Sequence, residues 1–365
     1  MTAPRRSHRR QFLQGRSAAD ALEDLADGLA GESPADGPSQ PALPRDNYVL
    51  HVGRRAMACQ FEVYFNAGQY GQAAEAAFES LDLVEELEAQ LSVYRADSEL
   101  SDLNRRAAAG PVPVESRLFA LLEYAVELHR RTDGAYDITS GALSTAWGFA
   151  RRAGAVPTED ELAAALATVG SHHVRLDPER QTVLFERSGI SLNLGSVGKG
   201  YTLDRCGELL AEREVGDYLI HGGQSSVLAR GSRQTADAAG RGWPVGIAHP
   251  LRPERRLAQV WLANRALGTS GSGVQYFHYR GRRLGHILDP RTGWPAEGVL
   301  STTVLAPSAQ QADALSTALF ILGPERGLEF CRARPELAAL WVCSPRSGDD
   351  IELVQTGFAP GVLAT

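Results

Sequence analysis

The residue pattern predicts an α+β fold. Strand-like stretches cluster late in the chain, helical stretches are interspersed unevenly among them, and there is neither an internal repeat nor a regular strand–helix alternation. At 365 residues the chain is long enough for a sizeable core, as one large domain or two. A hydrophobic content of 43% beside 22% charged residues is that of a soluble globular protein. The net charge of −7 argues against a general nucleic-acid binder. No apolar run approaches the ~20 residues that a transmembrane segment needs.

Residues 1–46 read as a basic, flexible N-terminal segment and linker, with the folded part over 47–365. Arg5, Arg6, Arg9 and Arg10 make a basic start, and Ser7–Leu13 has the outline of a twin-arginine export signal. The next stretch, Arg16–Ala30, carries Asp20, Glu23, Asp24 and Asp27 where such a signal needs an apolar core. Leu22, Leu25 and Leu29 are instead at the spacing of a short amphipathic helix. Gly31–Pro44 is rich in Gly, Pro and Ser, the composition of a linker, and no lipid-anchoring cysteine follows. A cytoplasmic location is therefore expected, the alternative being export to the periplasm through a degenerate twin-arginine signal. Cys59, Cys206, Cys331 and Cys343 are far apart in apolar segments and form no C-x-x-C pair. They are expected to be small buried side chains rather than zinc ligands or disulfides.

Along the folded part, Tyr48–Val52 and Met57–Phe65 alternate as two strands. Ala77, Leu81, Val84, Leu87 and Leu91 put one apolar face on a helix over Gln72–Leu91. Ser92–Asn104 reads as a loop and short turn. Leu118, Leu121, Leu122, Ala125 and Leu128 mark a second helix that stops near Thr132-Asp-Gly134. A mixed loop and short helix, Ala135–Phe149, precedes a third helix that opens on the capping box Thr158-x-x-Glu161. A hairpin follows around Pro178–Gln181. Ser191–Tyr201 then reads as a strand end and a glycine-rich turn, with a helix over Thr202–Arg213. Beyond it come strand, Gly222-Gly223 turn and strand over Tyr218–Gly231, β pattern from Trp243 to Gly268, a hairpin about Arg280-Gly281, and a strand at Leu300–Ala306. Ser308 and Gln311 cap a helix over Ala309–Leu322, a short helix covers Pro324–Arg332, and strands at Ala339–Cys343 and Ile351–Thr356 end the chain.

Four stretches have the residue types for chemistry. In Ser191–Tyr201, Gly195, Gly198 and Gly200 allow close backbone approach, Lys199 supplies a charge, and the following helix start favours an anion. The stretch suits a phosphate, or is a tight turn with a solvated lysine. It is not a Walker A loop, because Gly200 follows the lysine where Ser or Thr is required. Asp313 and Thr317 lie four apart on one helix face, a hard-oxygen pair for Mg²⁺ shared with a phosphate, or an exposed aspartate and a back-bonded threonine. His286–Gly293 offers His286 as a general base and Asp289 as a hydrogen-bonding or ligating group, or is a polar turn. Thr269-Ser-Gly271 fits a phosphate contact or an ordinary turn.

The order of these pieces carries more than any one of them. Met57-Ala-Cys; Leu91-Ser-x-Tyr94 with Ser98-Glu-Leu100; Ala135-Tyr136-Asp137; Trp147-Gly-Phe149; Gly195–Tyr201; Gly222-Gly223; Thr269-Ser-Gly271; His286–Gly293 and Asp313-Ala-Leu-Ser-Thr317 follow one another in a set sequence. Together they resemble the FAD:protein FMN transferases, the ApbE family, over roughly Tyr48 to Gly357. The resemblance implies a single α+β domain of mixed, largely antiparallel sheets with packed helices and the flavin in a cleft. It implies an enzyme that cleaves its substrate FAD with Mg²⁺, joins FMN by a phosphoester bond to a threonine in a flavinylation motif of an acceptor protein, and releases AMP. By position, the metal ligands would be Asp313, Thr317 and the backbone carbonyl of Ser196. Met57, Tyr94, Ala135, Tyr136, Asp137, Lys199 and Leu288 would line the FAD site, and His286 would be the base. Three places depart from the family pattern: Asn193 stands where an aspartate is usual, Met57-Ala58-Cys59 replaces Met-Gly-Thr, and Ser272-Gly273 follows the Thr269 motif. The same site with water as acceptor would be a FAD pyrophosphatase, and without chemistry a FAD-binding protein.

Overall fold

A computed structural model describes residues 48–151, 153–235, 240–273, 275–344 and 351–364. The segment expected over 1–46 lies outside the described residues. The elements in order are β1 Val49–Ala56, β2 Cys59–Asn66, α1 Ala73–Leu91, α2 Glu99–Arg106, β3 Val112–Pro113, α3 Ser116–Arg131, α4 Gly141–Ala146, α5 Glu159–Leu166, β4 Val174–Asp177, β5 Thr182–Phe185 and α6 Gly198–Glu212. They continue with β6 Tyr218–Gly222, β7 Ser226–Arg230, β8 Trp243–His249, β9 Arg252–Leu262, β10 Arg265–Gly271, β11 Tyr276–Tyr279, β12 Arg282–Gly285, β13 Val299–Ala306, α7 Ala309–Arg332, β14 Ala338–Cys343, β15 Glu352–Thr356 and β16 Leu363–Ala364.

An eight-stranded sheet organises the fold, in the order β1-β2-β6-β7-β10-β13-β14-β15. Every neighbouring pair in it is antiparallel. Alternation along the strands gives the sheet two apolar faces. Leu228, Ala266 and Val304 point into the main core, where α1, α6 and α7 pack through residues such as Val84, Leu203 and Leu319. Their neighbours Val227, Leu267 and Leu305 point the other way, onto Trp243, Ile247 and Val260 of the small sheet β16-β9-β8. A third apolar cluster joins Leu143, Trp147 and Phe149 to Leu284 and Leu288.

Most of the expected elements form, and the differences have local causes. The stretch expected as a loop and short turn contains α2. Ser98 caps it by accepting from Ser101 N, and Leu100 and Leu103 are buried. Two apolar positions are too few to show a helical period. The expected capping box on α5 is present in both halves. In α7 the backbone breaks at Gly323, with φ at +70°, and Pro324 opens the second helical piece, where its fixed φ and missing N–H cost nothing. Cys206, Cys331 and Cys343 are buried and Cys59 is half-buried.

Candidate active site

The site is built where α6 crosses the start of α7. Two glycines permit the approach. A Cβ on Gly200 would lie 2.1 Å from the Ala309 carbonyl oxygen, and one on Gly268 of β10 would lie 2.3 Å from that of Ala312. Asp204, one turn after Gly200, accepts the Ala309 and Gln310 N–H groups, each at 2.8 Å. With the Ser308 hydroxyl taking Gln311 N, the first turn of α7 is fully capped. Burial pushes the Asp204 carboxyl up to about 6 against the pull of these two N–H donors.

This clamp sets Asp313, which is only 4% exposed. Its Oδ2 accepts Gly200 N–H at 3.0 Å, its Oδ1 accepts the Ser226 hydroxyl at 2.9 Å, and Lys199 Nζ lies 3.9 Å from Oδ2. One turn on, Thr317 Oγ1 is 2.9 Å from Ser270 Oγ, which also meets Ser316 Oγ at 2.8 Å. The expected pairing of Asp313 with Thr317 on one face therefore holds, and Ser226 and Ser270 join them. The glycine-rich turn differs from its expected form. The helix starts at Gly198 rather than Thr202. The N–H groups of Gly195, Gly198 and Gly200 go to Asn193 Oδ1, Leu194 O and Asp313 Oδ2. The turn's glycines serve packing and local bonding, which leaves Lys199 as its cation toward the cleft.

Among the described residues no three His, Cys, Asp or Glu side chains stand close enough to form a metal cage. One carboxylate, a threonine hydroxyl and backbone carbonyls are hard oxygen donors. They fit Mg²⁺, an ion that keeps waters and is commonly completed by substrate phosphates rather than by protein alone.

His286 approaches the same cleft from the segment after β12. Its Nδ1 is 3.2 Å from the Gln275 carbonyl oxygen, an acceptor, so Nδ1 carries the proton and Nε2 has the free lone pair. Burial lowers its pKa below the ordinary imidazole value, Lys199 lowers it further, and the Gln275 hydrogen bond opposes both. The side chain is neutral at pH 7 and able to take a proton. Asn193 also lines the cleft, its Oδ1 closing the turn onto Gly195 N.

The Ala135–Asp137 stretch forms a wall of the cleft. The buried Tyr136 hydroxyl accepts from Ser196 Oγ at 3.3 Å, and burial raises its pKa. Asp137 is turned inward. It accepts Thr139 N and Oγ1, Ser171 N and Oγ, and stands 3.0 Å from His129 Nδ1. Burial pushes its pKa up, but His129 and Thr139 outweigh it and hold the carboxyl low. Asp137 thus fixes the wall from behind. Asp289 does the same for the next turn, in a two-bond pair with Arg291.

One cleft of about 1070 Å³ is lined by Ala135, Tyr136, Asp137, Ser196, Lys199, His286, Leu288, Asp313 and Thr317. Two of the expected residues are not among those lining it. Met57, in the tight turn between β1 and β2 with φ at +49°, packs against the main core with its sulfur 3.8 Å from Thr202 Oγ1. Tyr94 is 81% exposed. Sequence reasoning missed Ser226 and Asp204, and reached Ser270 only within the Thr269-Ser-Gly271 stretch. Of the two missed residues, only Asp204 left a readable trace, at i+4 from Gly200 on a helix already expected to be functional.

The model of the ApbE family matches residues 57–341. The chain is 30% identical to a Haemophilus influenzae FAD:protein FMN transferase over 301 residues, 80% of this chain and 86% of that one. It is 33% identical to the Vibrio cholerae FAD:protein FMN transferase over 282 residues, covering 76% and 82%. Among solved structures, the flavin transferase ApbE from Vibrio cholerae superposes with a TM-score of 0.73 at 27% identity, covering 85% of this chain and 97% of that one. The apo form of Pseudomonas stutzeri flavinyl transferase ApbE gives 0.74 at 30% identity, covering 85% and 95%. The matched span holds every residue of the α6–α7 junction and the cleft wall, and on that ground the chain belongs to the ApbE family.

Proposed function

We propose that the protein is a FAD:protein FMN transferase, with FAD as substrate and a hydroxyl of another protein as acceptor. The observation that carries the reading is the convergence of Lys199, His286, Asp313 and Thr317 on one cleft in a chain of this family. FAD is split at its pyrophosphate: the acceptor oxygen bonds the FMN phosphorus, the P–O bond to AMP breaks, and AMP leaves. Asp313, Thr317 and the Ser196 carbonyl would hold Mg²⁺, which when bound neutralises charge on the phosphates. Lys199 binds the same anion as a fixed cation and favours the state in which negative charge builds up. His286 takes the acceptor proton at Nε2. Ala135 and Tyr136, backed by Asp137, orient the flavin half, and closing the cleft with the acceptor excludes water. We assign the acceptor residue as a threonine. The chain's own Thr139 is buried and bonded to Asp137, and Thr145 bonds back to the Gly141 carbonyl, so neither is free to enter the cleft.

The test is co-expression with candidate acceptor proteins, followed by intact-mass measurement after denaturation. The expected result is a covalent FMN adduct that disappears when the acceptor threonine is replaced by alanine. An adduct that persists after that replacement would refute the threonine assignment.

A further inference from the structure

The cleft extends past the α6–α7 junction along β8, whose residues Trp243 to His249 all line it. In the small sheet β8 is an edge strand: among the described residues it pairs only with β9. The direction of its backbone groups follows from the ladder. Trp261 of β9 donates its N–H to Val362 O, on the β16 side. In an antiparallel ladder a residue's N–H and C=O point to the same neighbour, so Trp261 turns away from β8. Pro244, opposite Trp261, is then a non-hydrogen-bonded partner whose carbonyl points away from β9. Proline is tolerated there because it has no N–H to leave unpaired. Two residues on, Gly246, opposite Gln259 and exposed, presents both N–H and C=O in the same direction. Among the described residues β8 therefore presents a row of main-chain groups with no partner: Pro244 C=O, Gly246 N–H and Gly246 C=O.

Across from this edge the cleft is lined by Val49, Tyr64 and Leu219, half-buried apolar side chains of the large sheet. Arg233 lines the same cleft, and its buried Nε has no hydrogen-bond partner among the described residues. An open strand edge, an apolar floor and an unused donor are what an extended polypeptide needs: main-chain bonds for affinity and alternate side chains in pockets. The groove is continuous with the cleft that holds Asp313, Thr317 and His286. We infer that β8 is the docking strand for an extended segment of the acceptor protein, which adds to its free edge and so delivers the hydroxyl to the site. The inference rests on the transferase reading, because only a transferase needs a polypeptide in this cleft.

The experiment uses the full chain with FAD and Mg²⁺, and as probe a pool of short random peptides, each with one central threonine. Gly246→Pro removes the outward N–H without touching the β9 ladder, and Gly246→Ala keeps it. AMP release without peptide and covalent flavin on the peptides are both measured. The expected result is labelling by wild type and Gly246→Ala, with Gly246→Pro labelling reduced about tenfold for the lost hydrogen bond and its peptide-free AMP release unchanged. Equal labelling by Gly246→Pro overturns the proposal, as does an absence of labelled peptides while AMP is released. No AMP release from wild type defeats the transferase reading first and this inference with it. Should Gly246→Pro not fold, hydrogen exchange on the wild type decides. A labelled peptide must slow exchange of the amides over residues 244–250, and unchanged exchange there overturns the proposal.

Discussion

Lys199 Nζ stands 3.9 Å from Asp313 Oδ2, across a helix junction held so tight that Gly200 N–H bonds to the same carboxylate oxygen. A cation and the carboxylate that would hold the metal are thus placed by one contact between α6 and α7. What disturbs the contact disturbs both.

Replacing Asp313 with alanine removes the only carboxylate of the proposed metal site, takes the acceptor from Gly200 N–H, and leaves the Ser226 hydroxyl only its 3.5 Å contact with Ser225 Oγ. Mg²⁺-dependent AMP release should fall by about a hundredfold or more, and stability by about 1–3 kcal/mol. Asp313→Asn separates the two effects. It should keep most of the melting temperature and still lose the turnover. Turnover near wild type in the asparagine variant would refute the metal assignment.

Gly200→Ala should destabilise the protein by about 1–3 kcal/mol, because its Cβ meets backbone rather than a flexible side chain. Gly198→Ala, two residues earlier, meets nothing within 4 Å. It should be neutral or slightly stabilising in a helix. Denaturant unfolding of the two variants checks the contrast, and equal effects would show that the helix junction is not the tight contact described.

These residues also mark how far the sequence could be read. Lys199, Asp313 and His286 were candidates by type and spacing, and it was the order of the motifs that chose between their alternative readings. Gly200 was legible as a special position, but for the wrong reason: nothing in the sequence says that Ala309 lies against it, more than a hundred residues on. Ser226 looks like an ordinary turn serine until the sheet brings it to α7, and Ser270 was legible only as part of a stretch that could equally be a turn. The open edge of β8 depends on which strands pair, and alternation within a strand does not report its neighbours. Tyr94 came from motif order alone, which carries no information about exposure.

His286 predicts the acid side of the pH profile. The neutral imidazole is the active form, and burial lowers its pKa. Turnover should rise as pH rises through a value below the ordinary ~6.5 and be flat by neutrality. His286→Gln should lower turnover by roughly 10²–10⁴-fold and remove the acid limb. A limb unchanged in the variant would assign the proton to another group.

Asp137 and His129 predict where the cleft wall is most stable. The depressed Asp137 pKa gives a contribution present above the unfolded value of ~3.9 and lost as pH falls through the folded one. For His129, burial lowers the pKa but Asp137 raises it overall. Its contribution is complete below ~6.5 and lost as pH rises through the folded value. The pair therefore stabilises most between ~4 and ~6.5. Asp137→Ala should cost about 3–5 kcal/mol there, and less at pH 8, as measured by urea unfolding at both pH values. A cost independent of pH would mean that the two side chains are not ionically coupled.

Transfer to a protein hydroxyl is the central claim, and one measurement tests it most directly. AMP release from FAD and Mg²⁺ is followed with and without a purified acceptor, and the intact mass of the acceptor is taken at each time point. Slow release from the protein alone is predicted, with faster release on adding the acceptor and one covalent FMN formed for each AMP. Fast release without acceptor, and no adduct when it is present, would contradict the claim and make the protein a FAD pyrophosphatase.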